Sequence, residues 1–314
     1  MKISVCLAIY NGEKYIEKQL LSILNQTRLP DEIVITDDSS IDYTLSIIDD
    51  IKNKFDNIEW KIVKNDNRLG FAQNFIKSIS LSTGGYVFLS DQDDIWEPNK
   101  VSDMVSIMDH NKNIALLFSS YRCIDKNDAI INFRYRVTNN LLFNIKSNLF
   151  RLIKYPYKLF VKSMNVAGMS MCIRRECLHA FYKLDLSNIN YHDLFLALFA
   201  SINDSLYFYN KKLVNYRMHD GNTIGLNNAL GIKEDRIDWI KKNIGSQIMM
   251  KEFIDTNNLV DKFDCIKRVI DYNTSRLSYL TNKDLFGLLG SVWHFVEYPS
   301  LLSFFGDLRY IIER

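Results

Sequence analysis

The run Tyr86-Val87-Phe88-Leu89 follows a glycine pair and contains no charged side chain. A strand with one wet face alternates apolar and polar residues, so four apolar residues in succession belong to a strand covered on both faces. Such strands occur in sheets whose connections are helices, which restricts the chain to α/β architecture. The run ends in Asp91-Gln92-Asp93-Asp94, followed by Trp96 and Pro98. Three carboxylates within four residues repel one another, and holding them at a buried strand end is costly unless a cation compensates them. Mg2+ and Mn2+ are hard cations with oxygen ligands, and Mg2+ takes one or two carboxylates plus substrate phosphates. Two readings remain open on these residues: a strand-end metal site receiving a phosphorylated ligand, or a solvated acidic turn with a helix-capping Asp.

The first 120 residues repeat this pattern. Ile3 to Ile9 is a continuous apolar run that stops at Tyr10-Asn11-Gly12, and Tyr15, Ile16, Leu20, Ile23 and Leu24 then recur at helical spacing. Glu32 to Thr36 reads as a strand ending in Asp37-Asp38-Ser39-Ser40, with a helical stripe at Leu45, Ile48, Ile51 and Phe55. Ile58 to Val63 is a third strand; a polar loop and Gly70 precede Phe71, Phe75, Ile76 and Ile79, again helical. The focal strand is followed by a helix from about Asn99 to His110 and a strand over Ile114 to Ser119. This alternation predicts a mixed, mostly parallel α/β sheet flanked by helices, and ligands of open α/β sheets bind beyond the carboxyl ends of the strands. Past Ser120 the pattern loosens. Met169 to Ile173 and Leu206 to Tyr216 read as strands, Leu194 to Ile202 as a core helix, and about Lys233 to Arg314 as a helical C-terminal extension. The expected division is a catalytic part at 1–225 and a helical part at 226–314.

With 47% apolar residues the 314-residue chain can fill a large core, and its net charge of +2 gives no basic field for nucleic acid. Cys6, Cys123, Cys172, Cys177 and Cys265 form no CxxC pair and sit mostly in apolar runs, as reduced core thiols do. The opening MKISVCLAIYNGE is too short for a secretory signal, and no window approaches a membrane span. The expectation is a cytoplasmic protein. The basic, aromatic stretch from Asn139 to Val161 is either ordinary amphipathic packing or a surface meeting lipid at the cytoplasmic face of the inner membrane. Neither G-x-G-x-x-G in the first turn nor a P-loop motif is present, which argues against dinucleotide oxidoreductases and P-loop enzymes.

Six segments carry a resemblance in their order: SVCLAIYNGEKYIEKQLLSILNQT, DEIVITDDSSID, NDNRLGFAQNF, FLSDQDDIWEPNKV, the pair His192-Asp193, and Tyr216-Arg217-Met218-His219. Together, over Ile3 to Gly225, they resemble the inverting family 2 glycosyltransferases with the GT-A fold, and in motif spelling the rhamnosyltransferase-like members. The resemblance implies a nucleotide-diphosphate sugar donor (dTDP-rhamnose or a UDP-hexose), a divalent metal (Mn2+ or Mg2+), and a cell-surface polysaccharide or lipid-linked glycan acceptor. It assigns Asp91 and Asp93 to the metal-binding DxD, with His219 as a further ligand. Ala8, Tyr10, Asp38, Gly70, Asn74, Asp91 and Arg217 are expected at the nucleotide sugar, and Trp96 and His192 at the acceptor.

Asp193 is the implied catalytic base, because a single displacement needs one group to take the acceptor's proton. Plainer roles stand beside these: Asp38 as a helix cap, Asp193 as a carboxylate favoured by a helix N-terminus, Trp96 as core. Two other functions are weighed. A sugar nucleotidyltransferase would present a Gly-rich, Lys/Arg-containing loop where this chain has AIYNGEKY. A non-catalytic nucleotide-binding scaffold would not need Asp193.

Overall fold

The computed structural model describes residues 1–132, 138, 140–187, 189–219, 236–261, 264–291 and 301–313. The first half alternates as the apolar runs predict. It comprises β1 (Ile3–Ile9), α1 (Ile16–Leu24), β2 (Glu32–Asp37), α2 (Thr44–Lys52), β3 (Glu59–Lys64), α3 (Phe71–Leu81) and β4 (Tyr86–Ser90). A two-residue strand, β5 (Ile95–Trp96), α4 (Lys100–His110) and β6 (Leu116–Ile124) follow. Next come α5 (Leu141–Phe150), β7 (Leu152–Lys154), α6 (Tyr157–Ser163), β8 (Met171–Arg174), α7 (Arg175–Phe181), α8 (His192–Ile202) and β9 (Leu206–Arg217). Four further helices lie at Arg236–Thr256, Cys265–Thr281, Leu285–Gly290 and Leu301–Glu313. The expected division at 225/226 falls outside the described residues, as do Trp293, Phe295 and Tyr298.

The strands form one mixed sheet in the order β3-β2-β1-β4-β8-β6-β9-β5, with β7 beside β9. β3, β2, β1 and β4 are parallel, and so are β6 and β9; the antiparallel β8 joins the two groups. Alternate residues of each buried strand enter different cores. Cys6, Val34, Val87 and Leu89 face one cluster, which also holds Phe75 of α3 and Phe195 of α8. Val5, Leu7, Ile33, Ile35, Tyr86 and Phe88 face the other, with Ile16, Leu20, Ile48 and Val105. This two-sided burial is why the runs contain no polar alternation. Met250, Phe253, Ile254, Ile266 and Val269 of the C-terminal helices join the first cluster, while Arg276 and Arg236 close on the buried Asp307. All five cysteines are buried and form no disulfide with one another.

Parallel pairing of β1, β2 and β4 brings Ile9 level with Asp37 and Leu7 level with Ser90, so Tyr10, Asp38 and Asp91 emerge along one edge. At the other end of these strands Glu32 ties three segments together. Its carboxylate accepts from Ser4 Oγ, from Thr83 N and Oγ1, and from Gly84 N, and it pairs with Lys2 at 3.1 Å. Burial opposes its ionisation, but the bonds from Ser4, Thr83 and Lys2 outweigh that and lower its pKa to about 2. Stability from this depressed carboxylate is present above the ordinary range near 4.5 and is lost as pH falls toward 2. Glu32→Ala should cost about 3 kcal/mol by leaving buried donors unpaired. Urea denaturation at pH 7 checks this; a loss below about 0.5 kcal/mol would remove Glu32 as the clamp.

Candidate active site

A cleft of about 410 Å³ opens at the carboxyl ends of β1, β2 and β4. Its lining includes Ala8, Tyr10, Asp38, Gly70, Asn74, Asp91, Asp93, His192 and Asp193, nine of the residues singled out in the sequence. Ile9, Arg68, Phe71, Phe75, Gln92, Gly168 and Tyr216 complete the wall.

Each strand-end turn is fixed by a specific contact. Gln92 folds back on β1: Tyr10 N donates to its Oε1 at 2.9 Å, and its Nε2 donates to Tyr10 O at 3.0 Å. This reciprocal pair sets the DQD turn against the first strand end, so the middle residue of the motif is its anchor. Asp38 is no helix cap, since α2 begins at Thr44 after an uncapped Tyr43. Its oxygens accept from Asn65 Nδ2 at 3.0 Å, Leu69 N at 2.7 Å and Gly70 N at 3.0 Å. The loop so held places the Arg68 guanidinium 3.8 Å over the Tyr10 ring. Gly70 sits at φ +80° with open space where a Cβ would project, so backbone conformation and not crowding calls for glycine. Asn74 lines the cleft, but its amide is engaged with Thr36 O at 2.8 Å and with Asn65. It locks α3 to the end of β2.

Two expectations are corrected. Trp96 is buried away from the cleft, packed on Phe88, with Lys100 Nζ 3.5 Å over its ring. β5 pairs with β9 and turns this side chain into the core, so it makes no acceptor wall. Arg217 is also fully buried and does not line the cleft. Its Nε donates to Asp93 O at 2.7 Å, its Nη1 reaches Asp125 O and Asp128, and its own N–H donates to Asp94 Oδ1 at 3.0 Å. Both changes have one origin: pairing of Ile95 with Asn215 lays the end of β9 directly behind the acidic turn. Arg217 therefore holds the turn from behind.

The same pairing delivers His219. Its Nε2 lies 2.8 Å from Asp93 Oδ2, and its ring packs on Tyr15 with centroids 4.8 Å apart. Among the described residues no three His, Cys, Asp or Glu side chains form a ready-made metal cage. The expected trio of Asp91, Asp93 and His219 is thus not arranged about a common point, because the imidazole is turned onto Asp93. The electrostatics nevertheless fit a divalent ion. The lining carries four carboxylates, Asp38, Asp91, Asp93 and Asp193, against the one guanidinium of Arg68. Removal from water, followed by the charges of Asp93 and Asp193, pushes Asp91 up to about 7 despite Lys100. Asp94 is driven the same way by burial and by Asp93 and Asp91. Asp91 and Asp93 match the one or two carboxylates that Mg2+ takes beside phosphates, a donor set that needs no protein cage.

Asp193 lies in the first turn of α8. Oδ1 accepts from Leu194 N at 2.8 Å and Oδ2 from Gly168 N at 3.2 Å, which fixes the carboxylate while leaving acceptor capacity on both oxygens. Gly168 admits this approach, since a Cβ there would sit 3.1 Å from His192 Nε2 and 3.4 Å from Asp193 Cβ. His192 is stacked on Phe75 at 4.1 Å, and neither ring nitrogen has a protein partner. Burial lowers its pKa against the opposing pull of Asp193, which favours the neutral ring.

Residues 4–178, more than half of the chain, match the family model described as Glycosyl transferase family 2. The chain belongs to this family. This glycosyltransferase is 30% identical to dTDP-rhamnosyl transferase RfbG of Shigella flexneri over 254 residues, 76% of this chain and 82% of that protein. It is 34% identical to abequosyltransferase RfbV of Salmonella typhimurium over 118 residues, 37% of this chain and 35% of that one. Among solved structures, S. aureus TarS 1-349 in complex with UDP-GlcNAc aligns with a TM-score of 0.60 at 16% identity, covering 89% of this chain and 73% of that chain. The shared architecture is the GT-A fold.

The raised pKa of Asp91 has a measurable sign. The folded protein keeps this proton between about pH 4 and about pH 7 while the unfolded chain has released it, so metal-free stability falls as pH rises through that window. Asp91→Asn should flatten the fall in thermal melts from pH 4 to 8 in the presence of chelator. An unchanged slope would assign the effect to other groups.

Proposed function

We propose that this glycosyltransferase moves a sugar from a nucleotide-diphosphate donor, dTDP-rhamnose or a UDP-hexose, to a hydroxyl of a cell-surface polysaccharide or lipid-linked glycan. The reaction is a single displacement with inversion at the anomeric carbon. The observation that carries this reading is the shared space of Asp193 and the DQD turn: both line one cleft, and the charge of Asp193 is felt at Asp91.

The nucleoside end of the donor lies against Tyr10 and the Asp38-held loop, where Arg68 over the aromatic ring offers a flat cationic surface to a base. The diphosphate lies toward Asp91 and Asp93, the residues that would hold a divalent ion, with His219 poised beside Asp93. When bound, that ion supplies neutralisation of the leaving diphosphate. Asp193 takes the proton from the acceptor hydroxyl as its oxygen forms the new bond to the anomeric carbon and the bond to phosphate breaks. Gly168 N–H holds the carboxylate in register for that transfer. His192, neutral and without a protein partner, is suited to hydrogen-bond a sugar hydroxyl beside it.

Support for rhamnose is the 30% identity to a dTDP-rhamnosyl transferase across most of both chains. Asp193→Asn preserves shape and removes basicity. It should lower turnover about a thousandfold while leaving nucleotide affinity within a factor of two. Turnover within tenfold of the parent would remove Asp193 as the base. The inversion itself is checked by NMR of the product's anomeric configuration relative to the donor; retention would overturn the single displacement.

A further inference from the structure

The basic, aromatic segment after residue 138 divides in a way its composition does not reveal. Phe143, Tyr155, Tyr157, Phe160 and Val161 turn inward and join the core. Leu141, Leu142, Ile145, Leu149 and Phe150 of α5 remain between 47% and 71% exposed. At about 100° per residue, Leu141, Leu142, Ile145 and Leu149 fall within one stripe about 100° wide, opposite the buried Phe143 and Ser147. A helix at a protein–water boundary presents polar residues on its outer face, whereas α5 is apolar on both. A contiguous exposed apolar stripe of this kind marks a surface that meets another phase or molecule.

The charge around the stripe selects its occupant. Between Asp128 and Glu176 the sequence contains no Asp or Glu and nine Lys and Arg, in a chain whose totals are nearly balanced at 39 basic and 37 acidic residues. Lys146, Arg151, Lys154 and Lys158 are exposed on or just beyond α5; of these, Lys154 also meets Asp204 at 3.1 Å. Apolar side chains framed by cations, in a segment that has no acidic residue of its own, complement an anionic bilayer surface, where the apolar stripe enters the headgroup boundary and the cations meet lipid phosphates. No helix among the described residues is long and apolar enough to cross a membrane. We propose that α5 and its basic surroundings are a docking surface for an anionic lipid bilayer. The same segment runs on through α6 to Gly168, which packs on His192 and Asp193.

Vesicle flotation of the full chain tests this. The parent protein should float with phosphatidylglycerol-containing vesicles at low salt and at least tenfold less with pure phosphatidylcholine. Leu142→Ser, Leu149→Ser and Phe150→Ser combined, and separately Lys146→Glu with Arg151→Glu, should each reduce the bound fraction at least tenfold. These side chains are exposed, so melting temperature and turnover on a water-soluble acceptor should stay unchanged. That split keeps the result separate from the transfer chemistry. The proposal is overturned if the parent does not float with anionic vesicles, or if both variants float as it does. It is equally overturned if light scattering finds a dimer that the apolar variant dissociates, since the stripe would then cover a second copy of the chain.

Discussion

Asp91, Asp93 and Asp94 stand within four residues at the end of β4, and the surrounding structure is arranged around their repulsion. Protein groups meet part of it. The Arg217 guanidinium holds the Asp93 carbonyl from behind, the Arg217 backbone N–H donates to one oxygen of Asp94, and the buried Lys100 adds positive charge near the turn. What these groups leave uncompensated faces the cleft, where Asp38 and Asp193 add to it. A diphosphate entering such a space brings more negative charge. The electrostatics are therefore consistent with a ligand that arrives with its own cation, which is the chemistry proposed for this member of family 2.

The topology follows from the same need. Parallel β1, β2 and β4 supply three strand ends at one level, and the reciprocal Gln92–Tyr10 pair fixes the acidic turn to the first of them. β5 then pairs antiparallel with β9, and this short ladder carries Arg217 and His219 across the sheet to Asp93 and Asp94. The cleft's opposite wall depends on α8, whose first turn presents Asp193 against the backbone of Gly168. Rigid sheet on one side and a helix start on the other leave little freedom in the separation of the two sets of carboxylates.

Much of this was legible because burial on both faces leaves an unmistakable apolar run: β1 has the limits its run predicts, and β2 and β4 differ from theirs by a residue. Helical spacing located α1 and α3, and an apolar run located α8. Legibility failed where the local sequence carries no periodicity. β5 has two residues and β7 three, too few to show a period, and they exist through pairing with β9. Trp96 and Arg217 were misplaced for that reason, since their directions are set by a contact between segments about 120 residues apart. Gln92 was hidden in plain view, a neutral residue between carboxylates. Gly168 lies in an apolar stretch whose glycine signals only a turn, and its role appears once α8 packs on it. Arg68 and Tyr216 sit within recognised motifs, yet nothing in their spacing shows that they reach the cleft.

The central claim is that carboxylate repulsion in the cleft makes nucleotide-diphosphate binding conditional on a divalent cation. Calorimetric titration of dTDP-rhamnose, UDP-galactose and UDP-GlcNAc into the protein, in Mn2+ and then in excess chelator, tests it most directly. At least one nucleotide sugar should bind roughly tenfold or more tightly with Mn2+ than with chelator. Equal affinity in the two conditions would contradict the claim and leave the acidic turn without a cation to bind.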